Sequence, residues 1–123
     1  MISFGATNDK ASNDKLHTAI FGYPLDADVG YVLNIDGIPA GIARLKVTPE
    51  ESHIVRVGIL PGFRGKGYGD FFTRSLMNVL IDVTDRIVID YVSDYYLQFG
   101  FIKEGERMAI DPEKLVFPHK CGH

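Results

Sequence analysis

The chain has 123 residues, 46% of them hydrophobic and 24% charged, which is the composition of an ordinary globular domain. Its formal net charge of −3 argues against general nucleic-acid binding, so we expect no nucleic-acid partner. The single cysteine, Cys121, excludes an internal disulfide framework. Neither a membrane-spanning apolar run nor a signal peptide is visible. We therefore expect one domain, residues 1–123, in the cytoplasm and without a membrane partner.

The first 28 residues carry the weakest secondary-structure pattern. Ile2–Phe4 fits a short first strand. A short helix is predicted to run through Phe21, because Leu16, Ala19 and Ile20 recur at helical spacing. Ser12 or Asp14 is predicted to cap it. The Gly-Tyr-Pro that follows is expected to end this helix.

A β-hairpin is predicted next. Val29–Ile35 and Ile38–Val47 are rich in β-branched and apolar residues, and Asp36-Gly37 between them is a strong two-residue turn signal. The apolar alternation changes phase along the second strand, so we expect a bulge near Gly41.

Residues 54–83 are the stretch around which the chain is organised. An extended apolar run, Ile54–Leu60, leads into a glycine-dense turn, Pro61–Gly69, and then into an amphipathic helix, Asp70–Val83. A helix start carries unpaired N–H groups and the positive end of the helix dipole, so this arrangement favours an anion. It is neither a phosphate loop of the Gly-x-x-x-x-Gly-Lys-Ser/Thr type nor a dinucleotide fingerprint. The alternative is a flexible loop without a ligand.

Two more segments complete the prediction. Arg86–Tyr91 is expected to pair in parallel with the strand before the glycine turn, because the connection runs through a helix. Tyr95–Phe99 is expected to form a short helix ended by Gly100. The final antiparallel pair is predicted from Phe101–Ile110 and Lys114–Phe117. The C-terminal His119, Cys121 and His123 have the spacing of a mobile tail rather than of a metal cage, so no metal is predicted.

Two motifs of the chain, in the order in which they occur, resemble motifs of the GNAT N-acetyltransferase superfamily. The first has the family's Arg/Gln-x-x-Gly-x-Gly/Ala core and reads Val57-x-Ile59-x-Pro61-x-x-Arg64-Gly65-x-Gly67-x-Gly69. The second is similar to the family's later Phe-Tyr-x-x-x-Gly-Phe signature and reads Tyr95-Tyr96-Leu97-Gln98-Phe99-Gly100-Phe101. The resemblance implies an α/β fold with a mixed, mostly antiparallel sheet, a central splayed parallel strand pair and flanking helices.

The resemblance also implies acetyl-CoA as co-substrate. It assigns the pantetheine arm and the acetyl group to Val57, Gly58 and Ile59, where the freed strand edge would pair with the cofactor. It assigns the pyrophosphate to the turn, through Arg64, Gly65, Lys66, Gly67, Tyr68 and Gly69.

Catalytic residues follow from the resemblance in the same way. Tyr96 occupies the position of a tyrosine that protonates the leaving thiolate, with Tyr95 as the fallback; the alternative for Tyr96 is a tyrosine packed by its ring. His53 stands where relatives often carry a glutamate base and is the candidate proton relay. An exposed strand-edge histidine is the competing interpretation. Ile89 replaces an asparagine that relatives often carry.

The predicted function is transfer of the acetyl group of acetyl-CoA to a primary amine by direct attack. Relatives usually carry two helices before the hairpin, and this chain has room for one, so its acceptor is left open. A homodimer is possible, because a partner subunit would complete the acceptor wall. The alternatives are a non-catalytic acyl-CoA-binding or protein-interaction module and a phosphate-binding domain for another nucleotide.

Overall fold

The computed structural model describes residues 1–118 and contains seven strands and two α-helices within that range. The helices are α1 (Lys10–Phe21) and α2 (Tyr68–Ile81). The strands are β1 (Ile2–Thr7), β2 (Gly30–Ile35), β3 (Ile38–Lys46), β4 (Ser52–Ile59), β5 (Ile87–Ile89), β6 (Ile102–Glu104) and β7 (Arg107–Ile110). Short 3-10 segments occur at Pro61–Phe63, Asp94–Phe99 and Pro112–Lys114.

Hydrogen bonds order the strands β1-β2-β3-β4-β5-β7-β6, with β4 and β5 parallel and the other registered pairs antiparallel. The predicted mixed, mostly antiparallel sheet with a central parallel pair is therefore confirmed. The residue contacts divide the chain into two compact units. The first unit comprises Met1–Leu45 and Arg56–Leu76, and the second comprises Lys46–Val55 and the chain from Met77 onward.

In the first unit, β1, β2 and β3 form an antiparallel meander. The β2–β3 turn has positive φ at both central residues, 51° at Asp36 and 80° at Gly37, as a tight hairpin turn requires. The register shifts so that Leu33 faces Gly41 and Asn34 faces Pro39, which leaves one extra residue in β3. The predicted hairpin is confirmed, and its bulge lies next to the predicted glycine.

Helix α1 begins earlier than predicted. Its N-cap is Asp9, whose side chain accepts a hydrogen bond from the backbone N–H of Ser12, so the prediction of a cap at Ser12 or Asp14 was wrong. Gly22 ends the helix in the left-handed conformation. One helix lies between β1 and β2, as the sequence predicted, and Leu16 packs it onto the sheet in a buried cluster.

Helix α2 buries one side and exposes the other. Its buried residues recur three to four positions apart, and each contributes about 1.5–3 kcal/mol by leaving water; they are Phe72, Leu76, Met77 and Leu80. The helix was predicted over Asp70–Val83, and the spacing of its apolar residues predicted that Val79 and Val83 would lie on the buried side as well. This was wrong, because Val79 lies on the exposed side and the helix ends at Ile81, before Val83.

In the second unit, the start of β4 pairs with β5, β5 pairs with β7, and β6 and β7 form a hairpin. The prediction that Phe101–Ile110 pairs with Lys114–Phe117 was wrong. The chain instead turns at Gly105, which has a φ of +65°, and residues 112–114 form a 3-10 turn. Proline at position 112 has no N–H to donate to a ladder, which favours this 3-10 start. The short helix before Gly100 is confirmed as a 3-10 segment with a left-handed cap.

Residues 1–118 lack two kinds of feature. None of the helices there has the length and apolar character needed to cross a membrane. The same range contains no cluster of three or more His, Cys, Asp or Glu side chains suited to a metal ion. His119, Cys121 and His123 lie outside the described residues.

Candidate functional site

The last part of β4 is shaped by its contact with α1. A Cβ placed on Gly58 would lie 2.5 Å from Ile20 Cγ2 and 2.6 Å from Phe21 Cζ, closer than atoms approach without a shift. Glycine at this position therefore allows α1 to pack directly on the strand. Helix α1 is therefore the element that approaches β4 most closely at Gly58.

The parallel pairing of β4 uses only its beginning. Ser52, His53 and Ile54 pair with the three residues of β5. Val57, Gly58 and Ile59 lie outside these pairs, in the part of the strand that leads into the glycine turn. Val57 and Gly58 are half-buried, and Ile59 is buried.

The turn after β4 is fixed by its own hydrogen bonds. Leu60 donates its N–H to the carbonyl of Ala40 at 2.8 Å, and Phe63 donates to the carbonyl of Leu60 at 2.9 Å. Arg64 donates from Nε to the carbonyl of Ile59 at 2.9 Å. A guanidinium has five N–H donors, so this bond holds the arginine against the strand end and occupies one of them.

The three glycines of the turn have different roles. Gly65 and Gly67 have φ of +79° and +84°, in the left-handed region that side chains disfavour, so the backbone itself requires them. Gly69 is different, because its φ lies outside that region and a Cβ there would meet only Ile59 Cγ1, at an ordinary 3.7 Å.

Helix α2 begins directly at this turn. Phe71 donates its N–H to the carbonyl of Gly67 at 3.1 Å, which closes the first helical turn. The N–H groups of Tyr68, Gly69 and Asp70 precede that bond and lie at the positive end of the helix dipole. The ammonium of Lys66, on an exposed residue, adds positive charge beside them. Together these features favour an anion at the start of α2.

Asp70, in the first turn of α2, pairs with a cation on the same helix. Its carboxylate is 3.0 Å from Nε of Arg74, one helical turn on, and the two side chains are only 18% and 21% exposed. This ion pair compensates a negative charge that would otherwise repel an anion at the helix start.

A cluster of polar side chains that the sequence did not reveal connects the loop after α1 to β4 through hydrogen bonds. Arg56 Nη1 donates to Asp26 Oδ1 at 2.7 Å and approaches Nε2 of the buried His17 at 3.1 Å. His17 Nδ1 lies 2.6 Å from the carbonyl of Tyr23, so the ring donates there and accepts from the guanidinium. The hydrogen bond from Arg56 holds the pKa of Asp26 well below its usual range.

The second unit contains the candidate base. His53 Nδ1 is 2.6 Å from Asp90 Oδ1, and its Nε2 is 3.4 Å from Glu51 Oε2. The imidazole and the Asp90 side chain are each 17% exposed, so the alternative of an exposed strand-edge histidine is wrong. A carboxylate that fixes one nitrogen of an imidazole leaves the other oriented for proton transfer.

The second unit also contains the candidate acid. Tyr96 is 2% exposed, and its hydroxyl oxygen is 2.5 Å from that of Tyr91. The rings of Tyr91, Tyr95 and Phe101 surround it, with centroids at 5.7, 5.2 and 5.5 Å. Burial in these rings is the main reason that the pKa of Tyr96 is raised far above that of an exposed tyrosine.

The partners Asp90 and Tyr91 were not singled out from the sequence as functional residues. Both follow β5 directly, at the carboxyl end of a parallel strand. Such strand ends commonly carry ligand-binding side chains, and this is the signal that would have identified them.

Comparisons with known proteins complete these observations. The sequence model of the acetyltransferase (GNAT) family matches residues 4–101. A search of curated proteins returned no match.

Several solved structures share the fold. A GNAT-family acetyltransferase from Brucella melitensis in complex with acetyl-CoA is 16% identical, with a TM-score of 0.70 over 90% of this chain and 88% of that one. The ribosomal-protein-S18-alanine N-acetyltransferase from Escherichia coli is 14% identical, with a TM-score of 0.74 over 100% and 99%. The GNAT-family N-acetyltransferase YhbS from Escherichia coli, in complex with CoA, is 14% identical, with a TM-score of 0.67 over 91% and 81%. At these identities the likeness establishes the fold.

Proposed function

This chain belongs to the acetyltransferase (GNAT) family, and we propose that it transfers the acetyl group of acetyl-CoA to a primary amine by direct attack. The observation that carries the proposal is the start of α2. There, two left-handed glycines, the first helical N–H groups and exposed cationic side chains occur together in one turn. Solved structures of the same fold hold acetyl-CoA or CoA, which supports the same co-substrate here.

The diphosphate of acetyl-CoA is assigned to the turn at residues 64–69. Backbone N–H groups of Gly67, Tyr68 and Gly69 would donate to its oxygens, because left-handed residues next to a helix start turn successive N–H groups to one side. Arg64 and Lys66 supply charge, and the Arg64 Nε bond to Ile59 keeps that guanidinium beside the strand end.

The pantetheine arm is assigned to residues 57–59 of β4. An extended amide-containing arm can pair with a strand edge as an added strand would. This role requires a strand segment outside the β4–β5 pairs, and Val57, Gly58 and Ile59 are such a segment. The backbone N–H near Ile59 would then be the donor to the thioester oxyanion.

The chemistry needs one base and one acid. The attacking amine must lose a proton, and His53, oriented by Asp90, is the proposed acceptor. The thiolate of CoA must gain a proton as the C–S bond breaks, and Tyr96 is the proposed donor. A tyrosine hydroxyl is protonated at neutral pH, so a proton is available to give.

A second candidate function is a non-catalytic acyl-CoA-binding module on the same fold. It is favoured by the single helix between β1 and β2. This leaves an open groove of about 340 Å³ beside α1, lined by Ser12, Lys15, Leu16, Ala19, Pro39 and Leu60. A binding module would take up acetyl-CoA and release no CoA.

Calorimetric titration and a CoA-release assay test both candidates. Wild-type protein is titrated with acetyl-CoA, CoA and ATP, and thiol release is followed over a panel of small amines, amino acids and peptides. We expect acetyl-CoA to bind and at least one amine to accelerate release. Tighter binding of ATP than of CoA would refute the cofactor assignment. Binding without release across the panel would favour the non-catalytic module.

A matched pair of variants locates the binding site. Gly67→Glu puts a carboxylate among the proposed phosphate donors, and Gly62→Glu puts the same group earlier in the turn, where a Cβ meets nothing within 4 Å. We expect the first to abolish acetyl-CoA binding and the second to retain it. Equal binding by both variants would contradict the assigned site.

A further inference from the structure

The buried tyrosine pair has a consequence for proton supply, and this inference rests on the proposed role of Tyr96. The Tyr96 side chain is 2% exposed and enclosed by aromatic rings. A phenolate left there after proton donation would be surrounded by apolar carbon, which disfavours negative charge strongly. We therefore expect the proton to be replaced as it leaves, and a side chain that is 2% exposed has little direct contact with water.

One side chain is placed to replace it. Among residues 1–118, the hydrogen-bond partner of the Tyr96 hydroxyl is the hydroxyl of Tyr91, at 2.5 Å between oxygens. Tyr91 is half-buried, whereas Tyr96 is only 2% exposed, so of the two residues Tyr91 has more surface in contact with solvent. A phenol hydroxyl can donate one hydrogen bond and accept another, as a relay requires.

We propose that Tyr91 relays a proton from solvent to Tyr96, so that the acid of this site is a pair of tyrosines in series. As the C–S bond of the thioester breaks, the O–H bond of Tyr96 breaks and an S–H bond forms. The O–H bond of Tyr91 breaks in the same event and a new O–H bond forms on Tyr96. Negative charge ends on the Tyr91 oxygen, which takes a proton from water. Tyr91 is thus a positioning and relay residue, and Tyr96 is the residue that meets the thiolate.

Burial supports this direction of transfer. The pKa of both tyrosines is raised by desolvation, and Tyr96 is the more deeply buried of the two. Charge is therefore better tolerated on Tyr91. The ring contact between them, with centroids 5.7 Å apart and planes at 66°, holds the hydroxyls in this arrangement.

A proton inventory tests the relay. Acetyl transfer to hydroxylamine is measured in mixtures of H2O and D2O for the wild type, Tyr91→Phe, Tyr96→Phe and the control Tyr31→Phe, which removes a hydroxyl on β2. Two protons moving together give a curved inventory, and one gives a line. We expect a curved plot for the wild type and Tyr31→Phe and a linear plot for Tyr91→Phe. We also expect Tyr91→Phe to lower kcat about 5- to 30-fold with KM for acetyl-CoA unchanged. A Tyr91→Phe enzyme with the wild-type rate and a curved inventory overturns the relay.

A substitution that keeps the hydroxyl guards against a loss of folding. Site-specific 3-fluorotyrosine at position 91 preserves the ring and makes the phenol more acidic. If charge ends on Tyr91, kcat rises about two- to fivefold, as expected when a proton donor becomes a stronger acid. An unchanged or lowered kcat overturns the relay. Absence of CoA release by the wild type would refute the proposed function and the relay with it. If the wild type is active and substitutions at position 91 leave kcat unchanged, the relay alone is refuted.

Discussion

Replacing Gly67 and Gly69 with alanine, one at a time, separates two reasons for a glycine in the turn. Gly67 has a φ of +84°, whereas Gly69 has a φ outside the left-handed region and room for a Cβ, 3.7 Å from Ile59 Cγ1. The two variants add the same methyl group two residues apart. They are expected to have opposite effects on stability and different effects on binding.

The stability changes follow from backbone conformation. Alanine in the left-handed region costs about 1–2 kcal/mol, of which about 0.4–1 kcal/mol is offset because alanine lowers the entropy of the unfolded chain. Gly67→Ala should therefore lower the free energy of unfolding by about 0.5–1 kcal/mol and Tm by about 2–6 °C. Gly69→Ala adds a better helix former in the first turn of α2 and should raise the free energy of unfolding by about 0.5–1 kcal/mol.

The binding changes follow from the direction of the N–H groups. If alanine relaxes the backbone at residue 67, the N–H groups of Gly67 and Tyr68 no longer converge. Hydrogen bonds to a charged group are worth about 1.5–3 kcal/mol each, so losing one to two of them raises Kd for acetyl-CoA about 10- to 100-fold or more. The Cβ of Gly69→Ala is directed toward Ile59, so Kd should stay within about twofold of the wild type.

Urea unfolding measures the stability of each variant, and calorimetric titration of the same samples measures its affinity for acetyl-CoA. We expect Gly67→Ala to lose both stability and acetyl-CoA affinity, and Gly69→Ala to gain stability and keep its affinity. Unchanged affinity in Gly67→Ala, with the expected loss of stability, would show that this turn is structural and not a phosphate site. Loss of affinity in Gly69→Ala would refute the inferred direction of its Cβ.

Three further predictions concern α1, its loop and the candidate base. Gly58→Ala should lower the free energy of unfolding by about 1–3 kcal/mol by overpacking against Ile20, and Ile20→Ala should recover part of that loss in a double-mutant cycle by urea unfolding; additive effects would contradict the contact. Asp26→Asn should lower stability by about 1 kcal/mol or less at pH 7. The pKa of Asp26 is lowered in the folded state, so the difference is fully present above its unfolded pKa and shrinks as pH falls from there through the folded pKa; a gap as large at pH 2 as at pH 7 in thermal unfolding would refute the pairing. Asp90→Asn should lower kcat about tenfold or more with little change in KM, because His53 loses its orientation; an unchanged kcat excludes His53 as an oriented base.

Local signals were sufficient for much of the fold. Asp36-Gly37 determines its own turn through two positive φ values, and Gly100 ends its 3-10 segment in the same way. The glycine turn was recognised because it lies between an extended apolar run and an amphipathic helix, which are β4 and α2 in the structure. In each case the residues that decide the structure lie within a few positions of one another.

Competing local signals account for the errors. Several residues near the start of α1 are able to cap a helix. The N-cap in the structure is Asp9, whose carboxylate accepts a hydrogen bond from the N–H of Ser12. At the C-terminal end, Gly105 and the segment 111–113 both resemble turns. The hairpin forms at Gly105, because residues on its two sides pair in register from Ile102 to Ala109.

The partners in the candidate site depend on tertiary structure. His53 and Asp90 are 37 positions apart and meet because β4 and β5 pair in one particular register. Tyr91 and Tyr96 are close in sequence, but the contact between their hydroxyls depends on the 3-10 segment Asp94–Phe99, which contains Tyr96. Neither pairing can be read from residue types, since both depend on strand register and on which side chains become buried.

A crystal structure with acetyl-CoA bound would show whether the glycine turn binds the cofactor. We expect diphosphate oxygens within about 3 Å of the N–H groups of Gly67, Tyr68 and Gly69, and pantetheine amides paired with residues 57–59. A cofactor bound elsewhere, with those N–H groups facing solvent, would contradict the proposed binding site.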